Sequence, residues 1–274
     1  MSRMSDQFGD PLMKNILFSA FEQLIFEVMR SKKLKNSPLK EAIFELSWQS
    51  PLDQTGFPLD KEFELVLGKF QSAIANDFPI YKRTIPANAP LKIYGRPIHQ
   101  FWKGELKWPV VQLGPGILTV NDTDENYVWD PNYRQTIHSA ILALTQSYNH
   151  QRSFNRLSLK YIDSVDISLV SEASKFVSEN LQTNIMNGFE VPGELSGLNI
   201  HQVFSVSGSQ IAITIQTAVN NSNGKPAIMW ITSVEKNGSF SVENVLSWID
   251  EAHTIASDLF VKMLNPKFYE LFNQ

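Results

Sequence analysis

The amino-acid sequence predicts an α+β protein: a largely antiparallel β-sheet packed by helices, with a long C-terminal helix and an extra amphipathic helix at the N-terminus. Three observations carry this expectation. Segments in which apolar side chains recur at every second position run through much of residues 39–234, the rhythm of half-buried strands. Residues 198–206, 210–219 and 227–234 follow one another across turn-rich joints far shorter than the dozen or so residues a parallel crossover needs, so they form an antiparallel meander. Apolar residues at three- and four-residue spacing mark helices between the strands and after them. The resulting order lacks the regular strand–helix alternation of a doubly wound nucleotide fold.

The first element, residues 11–33, carries Leu12, Ile16, Leu17, Phe21, Leu24, Ile25, Val28 and Met29 on one helical stripe. The basic stretch SKKLKNSP at 31–38 reads as a linker, which makes residues 1–36 an extension of a body spanning 37–274. Its stripe packs either on that body or on another chain, with Phe21, Leu24, Ile25 and Val28 as the contact residues. Residues 39–48 alternate as a strand, with Ala42, Phe44, Leu46 and Trp48 on one face and Glu41 and Glu45 on the other. Asp60 is a candidate N-cap for a helix reaching Asn76. Prolines then break up 80–97 into an irregular edge.

Residues 99–103 and 110–121 read as a strand pair joined by a loop at 104–109, the second strand being bent at Gly114-Pro115-Gly116. Asp130 and Pro131 open a helix with Ile137, Ala140, Ile141 and Leu144 on its apolar face. Residues 154–169 form a long strand, and 171–186 a further helix. The glycine- and proline-containing stretch near 170–197 is a candidate divide between two subdomains. After the meander, Ser241 caps the final long helix, and Pro266 breaks it.

Composition narrows the function classes. At 43% apolar and 19% charged, the chain is a folded protein rather than a solvating one. Its net charge of −4 supplies no general attraction to nucleic acid or to an anionic membrane. The absence of cysteine excludes disulfides, thiol nucleophiles and thiolate metal sites. No basic start leads into an apolar run as in a secretory signal, and no apolar stretch reaches membrane-spanning length, so the cytoplasm is the expected compartment.

PLKEAIFELSW at 38–48, HQFW at 99–102, QLGPGILTVN at 112–121, YVW at 127–129 and LSLKYIDSVD at 157–166 together resemble a sporadically distributed bacterial family of uncharacterised proteins. The likeness covers residues 37–170, and its most specific part is the glycine-proline-glycine element; the N-terminal extension departs from the family pattern. The resemblance implies a shared fold and transfers no mechanism. A patchy distribution suits an accessory component of a bacterial defence system, such as phage defence, or of a toxin–antitoxin pair.

The motifs GxGxxG, GxxxxGK[ST], GxSxG and HExxH are all missing. Gly114 and Gly116 invite a phosphate reading, but a strand rather than a helix N-terminus follows them. The histidines stand at no common helical or strand spacing, so no metal site and no cofactor is expected, and His253 reads as a core histidine of the last helix. Asp163 is the most informative polar residue. It shares a strand face with Leu159, Tyr161 and Val165, where a carboxylate must be paired, neutralised or bound to donors. Arg156, Lys160, Glu41 and Glu45 join it as candidate ligand contacts if the two strands are neighbours. The element FWKGELKW, with Trp102, Lys103, Lys107 and Trp108, is the best candidate contact loop, for a protein rather than for nucleic acid. The reading favoured by the missing catalytic motifs is a non-enzymatic binding protein with a protein partner or as a homo-oligomer. The alternative is a small-molecule sensor or enzyme with a pocket near Asp163 and Gly114–Gly116.

Overall fold

The computed structural model describes residues 33–86, 94–123, 127–206 and 208–274. The amphipathic segment with Phe21, Leu24, Ile25 and Val28 lies outside the described residues. Among the described residues nine strands form one sheet: β1 (Leu39–Trp48), β2 (Ile80–Arg83), β3 (His99–Gly104), β4 (Lys107–Gly114), β5 (Ile117–Asp122), β6 (Phe154–Asp166), β7 (Asn199–Val206), β8 (Ser209–Val219) and β9 (Pro226–Phe240). Their spatial order is β2-β3-β4-β5-β1-β6-β9-β8-β7, and every neighbouring pair is antiparallel. The helices are α1 (Phe63–Ile74), α2 (Arg134–Ser147), α3 (Ala173–Asn180), α4 (Val242–Met263) and α5 (Pro266–Leu271). The expected α+β architecture, with its C-terminal meander and long C-terminal helix, is what the chain adopts.

Alternation decides which face is buried. Ala42, Phe44 and Leu46 of β1 stand opposite Tyr161, Leu159 and Leu157 of β6, and this face packs with α1, α2 and the N-terminal half of α4 into one core. Trp230, Ile228 and Ile215 form a second core with α3, α5 and the end of α4. A single sheet spans both, because β9 pairs with β6 along most of its length. The opposite face is polar. There Gln100 donates to Gln112 (2.9 Å), Gln112 to Asn121 (3.0 Å) and Asn121 to Glu41 (2.8 Å), a ladder of carboxamides across four strands.

Several boundaries differ from expectation. The bend expected at Gly114-Pro115-Gly116 is a full reversal between β4 and β5, with Gly114 paired to Ile117. Proline presets the first central position of such a turn, and Gly116 takes φ +80° at the second. The loop expected at 104–109 is a tight turn at Glu105-Leu106, since β4 already begins at Lys107. Asp60 does not cap α1, which starts three residues later; its Oδ2 accepts a 2.5 Å hydrogen bond from the Tyr148 hydroxyl and its Oδ1 one from the Glu62 amide. Asp130 is extended (φ −113°, ψ 131°) and residues 129–133 make a wide turn, so α2 starts at Arg134. The helix expected at 171–186 is only α3. β9 runs past Val234 to Phe240, because its polar end pairs with Arg156 and Phe154. Ser241 caps α4 as expected, in a reciprocal box with Asn244.

Candidate functional site

A cleft of about 980 Å³ opens where β1 begins and β6 ends. Its floor is the inner face of the sheet: Tyr161 and Asp163 from β6, and Thr232 of β9, which stands opposite Tyr161. One wall is α4, which presents His253, Ala256, Ser257 and Phe260 at helical spacing. Tyr127, Val128, Trp129 and Asp130, on the way into α2, form the other wall. Lys33 and Lys35, on the segment that leads into β1, and Lys40, at its start, are all exposed and make the rim.

The walls are locked together by aromatic contacts. The Trp129 and His253 rings stack with centroids 3.9 Å apart and planes within 8°. The Tyr161 hydroxyl lies 2.8 Å from His253 Nδ1 and 3.1 Å from the Tyr127 hydroxyl, a continuous hydrogen-bonded line from α4 across the sheet. Burial pushes both phenols well above their ordinary range, so both hydroxyls stay protonated. A bidentate Arg134–Asp250 pair (2.6 and 2.7 Å) ties α2 to α4 one turn before His253.

Asp163 is 3% exposed, and no described residue gives it a hydrogen bond or an ion pair. Burial pushes its carboxyl up to about 8, with the Lys40 ammonium pulling weakly the other way. At neutral pH it is held mainly as the neutral acid, which can both donate and accept. Asp60, at the far end of β1, shows the contrast. It too is buried, but Tyr148 and the Arg152 guanidinium, 3.5 Å away, engage both its oxygens. The groove between α1 and α2, lined by Leu65, Gly68, Ser72 and Gln146, has no buried ionisable side chain among its described lining residues.

The structure separates the residues grouped with Asp163 in the sequence. Glu45, Arg156 and Glu235 form an ion-pair cluster on the polar face, with Arg156 bonded to Glu45 and 3.1 Å from Glu235. Glu41 and Lys160 share that face. The two-residue period of β1 and β6 puts all four candidates on the side away from Asp163, so none lines its cleft. Gly114 and Gly116 are not part of the cleft either. They lie at the other end of β1, where Gly116 C=O accepts from Trp48 N–H while Asp163 stands opposite Leu39. Both are packed tightly: a Cβ on Gly114 would lie 1.9 Å from the Arg96 carbonyl oxygen, and one on Gly116 would lie 2.4 Å from the Tyr94 ring.

Trp102 and Trp108 flank the β3–β4 turn and pack edge to face on each other at 5.0 Å, with Lys82 over Trp102. Lys103 lies over Phe78, and Lys107 is exposed. The residues that sequence reasoning left out of the site are Tyr127, Trp129, Tyr161 and His253. The available signal was a polar residue on an apolar stripe: His253 beside Ala252, and Tyr161 on the face of Asp163.

Among the described residues no group of three or more His, Asp or Glu is placed to hold a metal ion, and no helix is long and apolar enough to cross a membrane. No family model, curated protein or solved structure matches the chain.

Proposed function

We propose that this chain is a small-molecule-binding protein whose site is the cleft over Asp163. The observation that carries this reading is a buried carboxyl without a hydrogen-bonding partner among the described residues, on the floor beside Tyr161 and facing a cleft of about 980 Å³ walled by Tyr127, Trp129 and His253. Leaving such a group unpaired costs free energy, and a ligand that meets it recovers that cost. Concave, largely apolar cavities of this size with a few convergent polar groups are where small ligands bind. The test is a fragment screen by ligand-observed NMR on the wild type and on Ser257→Phe, which fills the cleft from the half-exposed side of α4. Fragments that bind the wild type are expected to lose their signal in the variant. Fragments that bind both chains equally would count against the cleft.

A second reading, a protein that works through a protein partner or a second copy, is favoured by a different observation. The edge strand β7 carries no Asp, Glu, Lys, Arg or Pro, and Val203 and Phe204 are 53% and 46% exposed on it. The other edge, β2, is four residues long, carries Lys82 and Arg83 and follows Pro79, the usual devices against strand addition. An edge left undefended is open to pairing with another strand.

A further inference from the structure

The reading of the cleft as a small-molecule site leaves its ligand unspecified, and the chemistry of its lining narrows the class. The site offers one carboxyl at the floor and flat aromatic surfaces on the walls. Trp129 and His253 are stacked face to face, with centroids 3.9 Å apart and planes within 8°, so each covers one face of the other and the pair offers an outer ring face and ring edges. Tyr127 and Tyr161 spend their hydroxyls on each other and on His253, and so contribute ring faces and edges more than free donors. The Asp163 carboxyl on the floor has no hydrogen bond from any described residue, and no ion pair joins it to Lys40. Thr232 lies one strand over on the same face.

We propose that the cleft takes a flat aromatic or heteroaromatic ligand bearing an amidine-like N–C–N edge, with that edge on the Asp163 carboxyl and its ring against the aromatic wall that holds the Trp129–His253 stack. This proposal rests on the reading of the cleft as a ligand site. A carboxyl matches an N–C–N edge in either protonation state. As the neutral acid it gives O–H to a ring nitrogen and accepts from the adjacent amino group; as the carboxylate it accepts two parallel N–H bonds from an amidinium. A weakly basic N–C–N edge takes the Asp163 proton as it binds, with no net proton released, whereas a strongly basic amidine is already a cation at pH 7 and displaces that proton to solvent. Cationic rings are also favoured next to Tyr and Trp faces in a partly desolvated site. A carboxylate ligand can take only the one Asp163 O–H and leaves the second Asp163 oxygen without a donor, whereas an N–C–N edge meets both oxygens. The exposed Lys33, Lys35 and Lys40 at the rim stand in solvent, where their repulsion of a cation is screened. That rim suits an anionic substituent at the far end of the same ligand.

The test compares three isosteres by isothermal titration at pH 7: benzamidine, benzamide and benzoate, whose edges are N–H/N–H, N–H/O and O/O. Each is titrated into the wild type, Asp163→Asn and Ser257→Phe. Benzamidine is expected to bind the wild type about tenfold or more tighter than benzoate, with benzamide between them. The ranking is expected to collapse in Asp163→Asn, and binding to vanish in Ser257→Phe. Benzoate binding as tightly as benzamidine, a ranking unchanged in Asp163→Asn, or no binding by any of the three up to millimolar concentration would overturn the ligand class. If those results came while other fragments were still lost in Ser257→Phe, the cleft would stand and only the class would fall. Fragments indifferent to Ser257→Phe would remove both.

Discussion

At the scale of single residues, two buried titratable groups set opposite pH dependences. Asp163 has its carboxyl raised by burial from 3.8 to about 8, so the folded chain keeps a proton that the unfolded chain releases. Stability therefore falls as pH rises through that window, by on the order of a few kcal/mol once the group is fully ionised. Asp163→Asn removes the titration. The difference in Tm between variant and wild type is expected to grow in the variant's favour from pH 5 to pH 9, and a constant difference would contradict the burial argument. His99 works the other way. It is packed against Phe63 and Tyr81, and burial, with Arg83 nearby, lowers it from 6.5 to about 4. The folded chain refuses a proton that the unfolded chain accepts, so stability is lost as pH falls from about 6.5 towards 4. His99→Gln is expected to flatten the acid limb of a Tm profile, and an unchanged limb would exclude His99 as its source.

At the scale of elements, the β4–β5 reversal is the sharpest case of backbone dictating residue type. Gly114→Ala sets a methyl group against the Arg96 carbonyl and the Pro97 Cα, neither the end of a flexible side chain. Chemical denaturation is expected to show a loss of about 3 kcal/mol or more. Gly68, exposed in α1 with open space around its Cα, is the control of opposite sign, and Gly68→Ala is expected to stabilise by about 0.5–1 kcal/mol. A small loss for the first, or a loss for the second, would contradict these packing assignments. The same elements show what the sequence made legible. The strands over 39–48, 154–166 and 209–219 could be read from alternation, because burial on one face imposes a period of two, whereas β7, exposed along almost all of its length, was legible from the turn signals around it. The reversal at Gly114-Pro115-Gly116 was read as a bend because apolar residues continue on both sides, and alternation carries no mark of a change in direction. The end of β9 was missed because residues 235–239 are mostly polar, and only their pairing with β6 makes them strand. The placement of Asp163 on the inner face was legible. Its separation from Lys160 and Arg156 was implicit in the same period of two. The stack of Trp129 on His253 was not legible, since it joins a turn before α2 to the middle of α4 through the tertiary fold alone. The Tyr161–His253 bond likewise joins residues 92 apart.

At the scale of the whole molecule, the sheet has one helix-packed face and one polar face, and its two edges are unlike. If β7 pairs with a second copy, sedimentation velocity is expected to show concentration-dependent association of the wild type that Val203→Lys abolishes by placing charge on the edge. A monomer at every concentration in both chains would contradict pairing between copies. The cleft lies at one end of the inner face, where α4 and the 127–130 segment stand over β6 and the rim lysines meet solvent. Its ligand occupancy is the central claim. The most direct measurement is amide NMR mapping of where bound fragments perturb the chain. The expected result is a cluster of shifts at Tyr127–Asp130, Tyr161–Asp163 and His253–Phe260. Shifts confined to the α1–α2 groove or to β7, with those three segments silent, would contradict it.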